Sequence, residues 1–216
     1  MKSQHVLQLS QTLEVPSLHA VHAMLFGISA ELLSQSPRVD LLNELNDGLS
    51  TLADSQMPAA QVGLLLSREL ERALTDEVYY RTVWHEYQDL LNPMSQVNIQ
   101  PWASKHCDPD RVKHEPCTLE SGKPCPFGDW YCAYRMGSPC DHVSAALGIA
   151  SQLWSDLAHA VSAEDCSIKR NRCALFSRAH LAVWVPPIGD ALLRRARTNF
   201  YQVTALLIGS LAQLTV

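Results

Sequence analysis

The chain has 216 residues, of which 22 are acidic and 17 basic, so its formal charge is −5, and 47% of it is hydrophobic. That balance excludes a disordered or fibrous chain, and it leaves no cationic excess to neutralise a run of phosphates, so general nucleic-acid binding is not expected. The length fits a single domain over residues 1–216.

Met1 to Glu14 holds one lysine and no apolar run long enough for a secretory signal, so export is not expected and the expected location is cytoplasmic. Seven cysteines cannot all pair, and reduced thiols in the cytosol fit that count.

Helical spacing begins with Val21, Leu25, Ile28 and Leu32, which share one stripe of a helix over Ser17 to Ser34, with Pro16 and Ser17 at its start. Pro37 introduces a second helix, Arg38 to Ala53. Val62, Leu66, Leu70 and Leu74 define a third over Pro58 to Leu74. Thr75 is the expected cap of a fourth, with Asp76 and Glu77 at the positive end of its dipole. Tyr80, Val83, Tyr87, Leu90 and Leu91 form the apolar face of this helix, Trp84 lies beside it, and Pro93 ends it.

From Asn92 to Gly137 the periodicity disappears, six prolines accumulate, and five cysteines fall between Cys107 and Cys140. An irregular connection over 92–137 is therefore expected. Helical order resumes with Ser138 as cap, Pro139 at the first position and Asp141 three residues after the cap, which places Asp141 and His142 in the first turn. Val143, Leu147, Ala150, Trp154, Leu157 and Val161 then alternate steps of four and three.

Ser162 and Asp165 repeat the start signal for a helix that runs towards His180 and Leu181. Pro186 and Pro187 are expected to interrupt it, and Ile188 to Arg197 to resume. The uncharged end, Thr198 to Val216, has its apolar residues on one face at Phe200, Val203, Leu207, Leu211 and Leu214, as a packed helix requires, so no membrane span is expected. No stretch alternates like a strand. An all-α bundle of about nine helices follows.

Cys107, Cys117, Cys125, Cys132 and Cys140, with His106, His114 and His142, bring together the ligand types that zinc prefers. Their separations of nine, seven, six and seven residues contain no two-residue knuckle, so no metal is assigned. Cys166 and Cys173 read as core or half-buried residues. No Gly-x-Ser-x-Gly elbow, phosphate-binding glycine loop or His-Glu-x-x-His helix is present, so no catalytic residue or cofactor is assigned. His85 and Glu86 read as a solvated helix face. Trp102 beside Pro101, and Trp184 before Pro186, have the look of a groove lining.

Five signposts now stand in order: YQDLL (Tyr87 to Leu91), PWAS (Pro101 to Ser104), Asp141-His142, HLAVW (His180 to Trp184) and NFY (Asn199 to Tyr201). Together they resemble the TorD/DmsD/NarJ chaperones over about Val15 to Leu214. The resemblance implies an all-α cytoplasmic protein, monomer or homodimer, with no enzymatic activity. It also implies binding to the twin-arginine signal peptide or apo form of a molybdenum-containing oxidoreductase, which delays export until the cofactor is in place. Members usually carry Leu-Phe and then Gly-Pro where this chain has Leu90 to Pro93, and a Tyr or Trp where His106 stands.

A receptor for an arginine pair followed by an apolar segment needs an apolar groove with a carboxylate near one end. Tyr87, Leu91, Pro101, Trp102 and Trp184 are the expected groove residues. Asp141 is the expected partner of the arginines, with Ser104, His106, His142 and His180 as polar neighbours. The alternative is a metal- or redox-sensing protein built on residues 107–140.

Overall fold

A computed structural model describes residues 17–53, 55, 57–92, 94, 95, 98, 99 and 142–214, without the Trp184 side chain. Among these residues there are eight α-helices and no strand: α1 Leu18–Ser34, α2 Val39–Ser50, α3 Pro58–Thr75, α4 Glu77–Leu90, α5 Val143–Ala158, α6 Ala163–Phe176, α7 Ala182–Arg195 and α8 Asn199–Ala212. A π turn, Ser177–Leu181, joins α6 to α7. The fold is all-helical, as the spacings predict. Residues 100–141, which hold most of the expected irregular connection, lie outside the description.

Local chemistry sets several boundaries. Ser17 Oγ accepts from the Ala20 N–H at 3.2 Å, and Pro58 occupies the first position of α3, where its missing N–H is not needed. Ser162 Oγ accepts from Asp165 N–H at 3.1 Å while Asp165 Oδ2 accepts from Val161 N–H at 3.0 Å, so the two ends of the α6 cap satisfy each other.

Two expected caps are displaced. Thr75 belongs to α3, its hydroxyl donating back to the Glu71 carbonyl at 2.8 Å. Asp76 caps α4 instead, taking the N–H groups of Val78 and Tyr79 at 3.0 Å each, because a carboxylate is the stronger acceptor at the positive helix end. Helix α5 begins at Val143 with His142 as its cap, so Asp141 precedes the helix rather than sitting in its first turn.

The core is built around α1, which is buried on nearly every side by α5, α8 and α3. Ser151 on α5 fits this apolar contact by donating its hydroxyl to the Ala23 carbonyl of α1 at 2.7 Å. Trp154 of α5 is core, packed on His19, His22 and Phe26. Helix α8 lies against α1, α3 and α7. No helix among the described residues is long and apolar enough to cross a membrane.

Pro186 and Pro187 do not break α7. Val185, Ile188 and Leu192 are buried, and Gly189 lies close enough to α8 that a Cβ there would meet Ile208 Cγ1 at 3.4 Å. That packing holds the helix through the two prolines against their local preference. Upstream, Ala182 N–H bonds to the Ser177 carbonyl across five residues, so the chain enters α7 through a widened turn.

Close packing at Gly63 gives one stability test. A Cβ there would stand 3.0 Å from Leu25 Cδ2, 3.2 Å from Leu49 Cδ2 and 3.3 Å from Leu52 Cδ1, where α3 crosses α1 and the end of α2. Gly63→Ala is expected to cost about 1–3 kcal/mol through overpacking, measured by denaturant unfolding. Unchanged stability would show that the three leucines yield freely.

His22 gives a pH test. It is 5% exposed, its Nδ1 is buried without a hydrogen-bond partner, and burial, then His19, hold its pKa down to about 4. His19 is lowered by burial and by Arg170. The unfolded imidazole takes its proton near 6.5, so the stability from neutral His22 is complete above that pH and is lost as pH falls towards 4. His22→Leu is expected to flatten the decline in melting temperature between those values. An unchanged slope would exclude His22 as its source.

Candidate functional site

The most constrained polar cluster joins α4 to the corner between α7 and α8. Glu86 is 1% exposed, which overturns the solvated-face reading of this position. Its carboxylate accepts from the N–H groups of Arg197 and Thr198 and from the Thr198 hydroxyl, with Thr198 N to Oε2 at 3.0 Å. Arg197 also places its guanidinium on Asp89 Oδ2 at 2.5 Å, in an exposed pair that closes the cluster from outside.

This geometry completes a helix cap. Thr198 is the cap of α8 and accepts from the Tyr201 N–H. In a complete capping box, the residue three positions later returns a carboxylate to the cap's own N–H. Tyr201 has none to return, and Glu86 supplies it from another helix. The carboxylate thereby gains three donors and the positive end of the α8 dipole, which together offset its desolvation.

Tyr79 adds a second link between the same helices. Its hydroxyl donates to Glu69 Oε2 at 2.5 Å and accepts from Phe200 N–H at 3.2 Å, while Arg72 lies over the ring at 4.1 Å. Burial, then the Glu69 carboxylate, raise its pKa far above the usual tyrosine value. The buried Tyr201 hydroxyl is likewise raised, by burial and then by its neighbours Tyr87 and Glu86. These phenols stay protonated and serve as hydrogen-bonding groups.

The expected site residues divide into two groups. Tyr87 is half-buried at the α4 end beside this cluster, and Leu91, 4% exposed, is packed into the core. Asp89, within YQDLL, contacts Arg197 immediately before NFY, so the structure brings these two signposts together. At the other end of α7, His180 lies on the π turn with its ring 4.9 Å from Phe176, and Trp184 lies in the first turns of α7.

His142 caps α5: its Nδ1 accepts from Ser144 N–H at 3.2 Å and lies 2.6 Å from Ser144 Oγ. The π turn packs against α5, which puts His142 and His180 on adjoining elements. Pro101, Trp102, Ser104, His106 and Asp141 lie outside the described residues, as does Cys107 to Cys140.

Helix α7 separates the two groups by roughly 20 Å, at about 1.5 Å per residue over its length. A small molecule does not span that distance. An extended peptide of about six residues does. Among the described residues, no cluster of His, Cys, Asp or Glu is arranged to hold a metal. Cys166 is half-buried, and Cys173 is buried with its thiol donating to the Leu153 carbonyl and its pKa raised by burial to about 11.

Sequence reasoning missed Glu86 and Thr198. The available signal was the incomplete capping pattern at Thr198, which leaves a cap N–H needing an acceptor from elsewhere. Glu86→Ala is expected to cost about 2–4 kcal/mol, because it strands three donors, two of them buried on Thr198, and to lower the melting temperature by roughly 5–15 °C. Asp89→Ala, which removes only an exposed pair, is expected to cost less than about 1 kcal/mol. Equal effects in thermal melts would place the stabilising charge at the surface rather than at Glu86.

No family model matches the chain, and no curated protein or solved structure matches it either.

Proposed function

We propose that the protein is a chaperone of the TorD/DmsD/NarJ type. In this reading it binds, in the cytoplasm, the twin-arginine signal peptide or apo form of a molybdenum-containing oxidoreductase and holds it until its cofactor is inserted. One observation carries the proposal: the signposts that the structure describes fall at helix ends and junctions. YQDLL closes α4, His142 caps α5, HLAVW crosses from the π turn into α7, and NFY opens α8. Residues at such places are held by a rigid scaffold, and among these signposts Asn199 is exposed and Asp89 and His180 are half-buried, while Leu91, Phe200 and Tyr201 anchor the segments in the core.

The arrangement needs no chemical step. Binding draws on apolar contact along the peptide and on charge-assisted hydrogen bonds to its two guanidinium groups, each worth about 1.5–3 kcal/mol. The net charge of −5 favours encounter with a cationic segment. Separation of the two residue groups by the length of α7 suits an extended ligand.

Calorimetric titration with a synthetic peptide bearing an arginine pair and an apolar segment tests the reading, with a lysine-pair peptide as control. The arginine peptide is expected to bind at least about tenfold tighter, since lysine lacks the planar donor fork. Asp141→Asn is expected to weaken it by about 1.5–3 kcal/mol with an unchanged melting temperature. Mass spectrometry of protein purified from cells is expected to show an associated oxidoreductase. Failure to bind either peptide, together with absence of any oxidoreductase, would overturn the proposal.

A further inference from the structure

Helix α8 lies between α3 and α7, with α1 on its inner side. Its neighbours fix which way it faces. Phe200 N–H meets the Tyr79 hydroxyl, which reaches Glu69 of α3, and Ala205 and Ile208 lie against Gly189 of α7. The outward row is therefore Gln202, Val203, Leu206, Gly209, Ser210 and Gln213, in which Leu206 is 48% exposed.

Leucines continue this row on both sides. Leu65, 44% exposed, stands one turn before Glu69 on the α3 stripe that borders α8, and half-buried Val62 lies next to it. Leu193, 40% exposed, stands one turn after Gly189 on the α7 stripe that borders α8. Three exposed leucines on three adjacent helices thus form one apolar face.

The charge of this face selects its occupant. Helix α8 carries no charged residue along its length. The bordering ions, Arg68, Glu69 and Arg72 on α3 and Asp190 and Arg194 on α7, are three cations and two anions, so the face does not share the −5 charge of the chain. A cationic peptide finds no carboxylate at its centre, and an anionic surface finds no central basic cluster. A second copy of the chain meets neither repulsion nor a buried unpaired charge there.

We propose that this face joins two copies of the chain in a symmetric dimer whose two-fold axis runs parallel to α8. That axis sets Leu206 against Leu206 of the partner subunit and α3 of one copy against α7 of the other, so that Leu65 packs on the partner subunit's Leu193. Arg68 then comes to the side of the partner subunit's Asp190; both residues are exposed and pair with no described residue. An axis across α8 would instead oppose Arg68 and Arg72 to their own copies. Beside Leu206, a Cβ on Gly209 would touch nothing within 4 Å, and that open space lets the two α8 helices approach closely. Each copy offers about 20 Å along α8 by about 25 Å across three helices, or roughly 500 Å², the area per partner at which specific interfaces begin. The dimer stands apart from the function proposed above, because its face contains none of the expected peptide-binding residues.

Sedimentation equilibrium of the full chain between about 1 and 100 μM tests the interface, and twice the chain mass is expected at the upper end. Leu206→Glu brings two carboxylates together at the axis and is expected to weaken dimerisation at least about hundredfold. Leu65→Glu, away from the axis, is expected to weaken it about tenfold. Ile168→Glu, at a 54% exposed position of α6 outside the face, is expected to leave it unchanged. All three replace exposed side chains, and far-UV circular dichroism checks that each variant is folded. The melting temperature of the parent is expected to rise with protein concentration and that of Leu206→Glu to be independent of it. A parent that stays monomeric up to about 100 μM overturns the proposal, as does a dimer that both leucine variants leave intact.

Discussion

A carboxylate in the core is tolerable only where the chain surrounds it with donors, and Glu86 is held by that requirement. The N–H groups of Arg197 and Thr198 and the Thr198 hydroxyl converge on it. Once formed, the cluster fixes where α4 ends relative to the start of α8, and therefore where the chain turns out of α7. Tyr79, two turns earlier in α4, repeats the restraint through the Phe200 N–H. YQDLL and NFY, far apart in sequence, become neighbours as a consequence of this pairing.

The other end of α7 obeys a different constraint. Apolar burial of Val185, Ile188 and Leu192 against α8 holds the segment helical although two prolines oppose it. The π turn upstream is the local expression of that conflict between packing and backbone chemistry. The restrained corner and the π turn stand at opposite ends of α7, roughly 20 Å apart.

Positions read correctly from the sequence share a physical character. The stripe of α1 and the start signals at Ser17, Pro58 and Ser162 concern residues within a turn or two of each other, where spacing translates directly into geometry. Thr75 and Asp76 are both competent caps, and the sequence alone does not rank them. The α5 start was expected at Ser138 because its capping pattern is good, yet the helix begins at Val143 with a histidine cap.

The sequence by itself determined the all-helical class, the stripes that form the core and most helix boundaries, because these depend on periodicity and local hydrogen bonding. Only the tertiary structure decided that Glu86 is buried, that α7 continues through Pro186 and Pro187, and that Tyr87 and His180 stand at opposite ends of one helix. Each of these depends on a partner remote in the chain: the Thr198 cap for Glu86, the α8 surface for the prolines, and the length of α7 for the two site groups. Local spacing carries no record of such partners, since the energy that selects them comes from burial and from donors supplied across the fold.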